Sequence, residues 1–320
     1  MIQNIAPKKL YNEYRQKRVS ANDYIVVVCK NKILIREAGG RIRFPRLSEL
    51  LAEQPFSMEQ PFAMEGISGR ISDSLYLFRI DEDLYFLYPA FTYPDDMEGY
   101  HLHLQDNALH WMKFADIRSQ ADHEVCFAAY TAYHLYQWYR SNQFCGCCGA
   151  HTVPDQNERM LYCTKCGNQI YPRIAPAVIA AVTNGDKILL TKYANREYKR
   201  YALIAGFTEI GETAEETVRR EVMEEAGLSV KNIRYYKSQP WGIDGNLLFG
   251  YFAELSGSDE IRMDQNELSA AEWVSREQLK DMDDSFSLTR EMMRVFYENE
   301  KESSQNKNRR YKNGESGYDF

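Results

Sequence analysis

No apolar run in the 320-residue chain approaches the roughly 20 residues needed to cross a bilayer. The opening MIQNIAPKKLYNEYRQKRVS also lacks the apolar core of a secretory signal. A cytoplasmic protein with no membrane partner is therefore expected. An excess of positive charge is missing too, with 39 Lys and Arg against 46 Asp and Glu and a net charge of -7. That balance argues against broad adhesion to DNA or acidic lipid, although a sum cannot exclude a local basic groove. Cysteine is scarce and uneven: five of the seven, Cys145, Cys147, Cys148, Cys163 and Cys166, fall within one short stretch. A secreted disulfide scaffold would spread them and be far smaller, so the clustering points to a metal.

What is present suits a folded protein of two domains, or two and a small insert, with 44% hydrophobic and 13% aromatic residues. Residues 1–140 mix strand-like runs (YIVVV, SLYLFRI) with EVCFAAYTAYHLYQWYR, whose periodicity predicts a helix. A cysteine-rich insert spans 141–171. The third region, 172–299, opens with the buried-strand run APAVIAAV, a turn at Asn184-Gly185-Asp186 and the strand KILLTKY, a predicted hairpin. The polar tail, 300–320, is expected to be mobile. YIVVVCKNKILI echoes VIAAVTNGDKILL, and LHWMKFADIRS parallels AEWVSREQLKD, which suggests that the N-terminal half is a worn copy of the C-terminal fold. Between its echoes that half carries GGRIRFPRLSELLAEQ where the other half is rich in glutamate, so it is expected to be non-catalytic.

Within the insert, Cys145-x2-Cys148 and Cys163-x2-Cys166 are separated by fourteen residues, and Gly149 and Gly167 follow the pairs. The spacing predicts a four-cysteine Zn2+ ribbon. Cys147 could replace a ligand in another register, but only the 145/148 pair repeats the C-x-x-C-G form. Four thiolates saturate tetrahedral zinc, so the ion is expected to be structural.

The segment GFTEIGETAEETVRREVMEEAGL, residues 206–228, contains seven glutamates. Thr213 and Glu216 fit a capping box, and Gly227 fits the residue that ends the helix. Between them Glu221, Glu224 and Glu225 share one face at i, i+3 and i+4. Like charges that close destabilise a bare helix, which favours a hard divalent cation, Mg2+ or Mn2+, as the partner. A Glu-rich solvated face is the plainer reading of the same composition.

The segment resembles the Nudix box, G-x5-E-x7-R-E-U-x-E-E-x-G-U, at Gly206, Glu212, Arg220, Glu221, Val222, Glu224, Glu225, Gly227 and Leu228. That resemblance implies a Nudix α/β/α sandwich with a mixed sheet, here preceded by the zinc ribbon and a degenerate Nudix-like N-terminal domain. It also implies hydrolysis of nucleoside diphosphate linkages, with Glu221, Glu224 and Glu225 as metal ligands and Arg220 oriented against Glu212. A ribbon joined to a Nudix domain through YPRIAP resembles the NADH pyrophosphatase, or NAD(+) diphosphatase, family. The resemblance implies cleavage of NAD(H) to NMN(H) and AMP by a homodimer. It further implies Glu267 as an added metal ligand and substrate contacts from Phe207, Tyr171, Ser238, Gln239 and Trp241. The SQPW of that family's SQPWPFPxS signature is present, but GIDGN follows, with Asn246 in the place of the serine. Alternatives are the NAD cap on RNA, ADP-ribose or another nucleoside diphosphate derivative, and a non-catalytic nucleotide-binding regulator.

Overall fold

The computed structural model describes residues 1–53, 74–88, 106–194, 200–279 and 286–298; the expected mobile tail lies outside them. Contacts divide the chain into two compact units. One holds Met1, Ala175–Pro240 and the chain from Asn246; the other holds Ile2–Ile174 and Trp241–Gly245.

The first unit is built on a six-stranded mixed sheet. Its order is Val230–Trp241, Asn246–Leu255, Ala175–Asn184, Lys187–Tyr193 and Leu268–Ser275, with Ile204–Phe207 also pairing with Ala175–Asn184. Ala175–Asn184 runs parallel to Asn246–Leu255 and forms the predicted hairpin with Lys187–Tyr193. Side-chain alternation separates two apolar faces. On one, Val178, Ala180 and Val182 meet Val218, Val222 and Ala226 of the helix Ala214–Ala226. On the other, Ile179 and Ala181 meet Leu288, Met292 and Met293 of a helix over residues 288–298. A strand covered on both sides has no polar face, which is why APAVIAAV reads as a continuous apolar run.

The second unit contains two four-stranded sheets and the three-stranded ribbon Gln169–Ile170, Leu161–Cys163 and Thr152–Pro154. Its predicted long helix spans His123–Ser141. The internal echo extends to strand pairing. Tyr24–Val26 runs parallel to Asp83–Leu87, as Ala175–Asn184 does to Asn246–Leu255. Lys32–Ala38 pairs antiparallel with Leu109–Lys113, placing Leu34 opposite Trp111; Lys187–Tyr193 pairs the same way with Leu268–Ser275, placing Leu189 opposite Trp273. At the position of the glutamate-rich helix the N-terminal copy has, among the described residues, the short helix Leu47–Leu51. Its Glu49 is taken by the Arg43 guanidinium at 2.9 and 2.6 Å and by the Arg46 amide at 2.8 Å. Those contacts make it a structural acid.

Candidate active site and zinc ribbon

Thr213 caps the glutamate-rich helix as expected. The Glu216 amide donates to Thr213 Oγ1 at 3.2 Å, and the Thr213 amide donates to Glu216 Oε2 at 2.7 Å. Gly227 closes it with φ 68°, a left-handed turn in which its amide donates to the Met223 carbonyl at 2.9 Å. The capped ends leave Glu221 and Glu225 on the face turned toward the sheet, 8% and 2% exposed, while Glu224 is exposed. The carboxyl of Glu221 lies over the backbone of Gly206, where a Cβ would stand 1.9 Å from Glu221 Cδ. Any side chain at 206 would therefore displace the carboxylate.

Arg220 organises this end of the helix. Its Nε and Nη2 donate to Glu212 at 2.6 and 3.0 Å, and its Nη1 to Glu221 at 2.7 Å and Glu224 at 2.9 Å. Nη2 also donates to the Phe207 carbonyl at 2.9 Å, joining helix, loop and strand end through one guanidinium. Glu212 is held at about 2 by that guanidinium, helped by the Glu209 amide and the Thr217 hydroxyl. Burial pushes Glu221 the other way, upward, against the pull of Arg220, and the charges of Glu224 and Glu267 add to the rise. The site thus concentrates more carboxylate than its single arginine neutralises, a donor set suited to a hard divalent cation.

Other residues named from the sequence fall in different settings. Phe207 leaves half its surface exposed beside the box, at 52%. Strand register puts Phe207 opposite Ala177 and Asn246 opposite Ala175, so both lie on one face of the sheet. Asn246 is 7% exposed, and its Oδ1 has no hydrogen-bond partner among the described residues. Ser238 is half-buried. Gln239 is fully buried, donating to the Phe286 carbonyl and accepting from the Leu288 amide, both at 2.8 Å. Those bonds hold the start of the 288–298 helix, a role its place in SQPW does not suggest. Within the other unit, Trp241 packs edge-on against Tyr130 at 5.3 Å, and Tyr171 donates its hydroxyl to Glu158 at 2.9 Å. The sequence reading missed Thr217, whose hydroxyl donates to Glu212 at 3.0 Å, and Tyr251, which donates to Glu215 at 3.4 Å. Thr217 lies four residues after the cap, on the turn that faces the loop; that spacing was the available signal.

The four cysteines of the ribbon come together as the spacing predicts, with all Sγ atoms within 4.8 Å of one another. Cys145 and Cys166 are 3.6 Å apart, and Cys148 and Cys163 3.4 Å. Tetrahedral zinc with Zn–S near 2.3 Å requires an edge of about 3.8 Å, so a small expansion admits the ion. Amides of Cys147 and Cys148 lower the Cys145 thiol to about 6, and the Cys166 amide lowers Cys163, whereas hydrogen bonds to neighbouring thiols raise Cys148 and Cys166. Cys147 is exposed and outside the group, which settles the register.

The NUDIX domain model matches residues 173–296, and the NADH pyrophosphatase zinc ribbon domain model matches 140–171. The chain is 37% identical over 195 residues to the NAD-capped RNA hydrolase NudC of Pectobacterium carotovorum subsp. carotovorum (strain PC1), covering 58% of this chain and 75% of that one. To NudC of Escherichia coli O1:K1 / APEC it is 41% identical over 145 residues, covering 45% and 56%. A crystal structure of a Nudix hydrolase from Nitrosomonas europaea aligns with a TM-score of 0.44 at 23% identity, covering 50% of this chain and 93% of that one. With its ribbon, box and relatives taken together, the chain belongs to the zinc-ribbon NADH pyrophosphatase family of Nudix hydrolases and is a pyrophosphohydrolase.

Proposed function

We propose that the chain hydrolyses the diphosphate bond of NAD(H), yielding NMN(H) and AMP, and cleaves the same linkage in the cap of NAD-capped RNA. The observation that carries the chemistry is the Arg220 guanidinium spanning Glu212, Glu221 and Glu224 beside Gly206. Glu221, Glu224 and Glu225, with Glu267, would hold Mg2+ or Mn2+, which when bound neutralises the diphosphate, activates water and stabilises the leaving phosphate. Arg220 keeps the box loop against the helix, so the carboxylates keep one geometry through turnover. A glutamate of this set takes the water's proton. Phe207 offers a ring for stacking the nicotinamide, and Asn246 a carboxamide that can both donate and accept.

The RNA cap is included because the relatives matched over more than half of this chain carry that activity in their names. A homodimer belongs to the same proposal through family likeness; light scattering of the purified protein tests it. Incubation with NADH and Mn2+, with NMNH and AMP resolved by chromatography, tests the reaction. Release of both products by the wild type and their loss in Glu224→Gln is the expected result. No cleavage of NADH, ADP-ribose or NAD-capped RNA by the wild type would sink the proposal.

A further inference from the structure

The acidic net charge hides a strong local asymmetry. Residues 1–53 contain eleven Lys and Arg against five Asp and Glu, in a chain whose total is -7. The densest part is KKLYNEYRQKR, residues 8–18, with five basic residues and the lone acid Glu13. Leu10–Tyr11 pairs antiparallel with the edge of Leu75–Ile80, setting Tyr11 opposite Arg79. The chain continues along that edge, with Tyr14 packed on Tyr76 at 6.4 Å and Lys17 Nζ over the Tyr76 ring at 4.7 Å. Lys9, Arg15, Lys17 and Arg18 are all exposed.

Several cations of the chain are held by carboxylates. Lys8 is neutralised by Glu124 at 2.5 Å, Arg43 by Glu49 at 2.6 Å and Lys237 by Glu291 at 2.5 Å. None of Lys9, Arg15, Lys17, Arg18 or Arg79 pairs with a carboxylate side chain among the described residues. Rings steady three of them instead. Lys9 Nζ lies 5.1 Å and the Arg79 guanidinium 3.6 Å from the Tyr11 ring centre, and Lys17 sits over Tyr76. A cation fixed on an aromatic face keeps its full charge for an incoming anion. Four of the cations succeed one another along residues 9–18 and the fifth, Arg79, lies on the strand paired with that segment, so the charge is spread along the chain, which suits a linear polyanion better than a compact phosphate. The acidic turn Asp81–Asp83 lies at the Lys9 end, where the Lys9 amide donates to Asp81 at 3.0 Å. Toward the other end, the Tyr14 hydroxyl and the Gln16 amide donate to the carbonyls of Asp155 and Gln156 at 3.3 and 3.1 Å, so the exposed cations run between two acidic segments.

We propose that this edge, from Lys9 through Arg18 with Arg79, binds the phosphate backbone of single-stranded RNA. The proposal rests on RNA being among the substrates, and the experiment separates the two. Affinity is measured on the full chain by anisotropy of a labelled, uncapped 5′-monophosphate RNA of about 20 nucleotides, titrated between about 50 and 200 mM salt. Lys9→Gln, Arg15→Gln, Lys17→Gln and Arg18→Gln are combined in one variant. Loss of four phosphate contacts should flatten the slope of log affinity against log salt by about 3 and weaken binding at least tenfold at the lower salt, on the order of 0.7 per contact. Its kcat/KM on free NADH stays at the wild-type value, which also reports that the fold is intact. A charge-keeping variant, Lys9→Arg with Lys17→Arg, retains RNA affinity.

Unchanged RNA affinity and slope in the Gln variant would overturn the proposal, even if capped RNA is hydrolysed. So would wild-type binding to phosphatidylserine vesicles without binding to RNA. RNA binding through these residues by a protein that cleaves neither NADH nor capped RNA would keep the surface and reject the proposed reaction.

Discussion

Gly206 and Arg220 make opposite demands at the centre of the site. Gly206 must contribute no side chain, because a Cβ there meets the Glu221 carboxyl at 1.9 Å. Arg220 must contribute every nitrogen, because Glu212, Glu221, Glu224 and the Phe207 carbonyl share its guanidinium. Gly206→Ala should lower kcat on NADH by about 100-fold through displacement of one carboxylate. Its melting temperature should stay close to the wild-type value, and steady-state kinetics with a thermal melt check both halves. For Asn246 the role we propose is selection of the substrate. Asn246→Leu removes a carboxamide from a buried position and should raise KM for NADH about tenfold with little change in kcat. A matching rise for ADP-ribose would show that the residue reads a shared part of the substrate and not the nicotinamide end.

At the level of elements, the glutamate-rich helix is an anionic rod kept in register by its ends. Thr213→Ala removes a cap worth about 1 kcal/mol and should lower the melting temperature by a few degrees. Gly227→Ala should cost more, since the new Cβ would be strained at φ 68° and would stand 2.8 Å from Arg262 Cβ. The second helix of the sandwich, residues 288–298, is tied by Glu291, which accepts from Lys237 at 2.5 Å and Tyr236 at 2.9 Å. Burial pushes Glu291 up, but those donors outweigh it and hold the carboxyl below its ordinary 4.5. The stabilisation is therefore fully present above 4.5 and is lost as pH falls through the lower folded value. Glu291→Gln should flatten that part of an acid-unfolding curve followed by circular dichroism. The helix around Glu221 was legible in the sequence because capping, periodicity and box spacing are all local. The ties made by Gln239 and Glu291 were not legible, because their partners lie 47 to 55 residues away and no periodicity links them. The hairpin echo was legible from composition, but its register, Leu34 to Trp111 and Leu189 to Trp273, needed the paired strands.

For the whole molecule, metal chemistry divides by ligand softness. Thiolates of Cys145, Cys148, Cys163 and Cys166 hold zinc in a closed site, while glutamates on the helix suit a hard, exchangeable ion. A thiol-competitive chelator should release one zinc per chain and lower the thermal stability. Added Mn2+ should not restore it, and metal analysis alongside a melt provides the check. Cys145→Ser should reproduce the loss, whereas Cys147→Ser should leave zinc content unchanged because that thiol lies outside the group. The repeated strand register also bears on how the chain is made. Two strands that face a tryptophan in the same way are interchangeable partners for a polypeptide still folding, a hazard typical of repeated architectures. Synthesis from the N-terminus orders that competition in time, since Lys32–Ala38 and Leu109–Lys113 are both made before Lys187–Tyr193 exists. A chain diluted whole from denaturant has no such order to protect it.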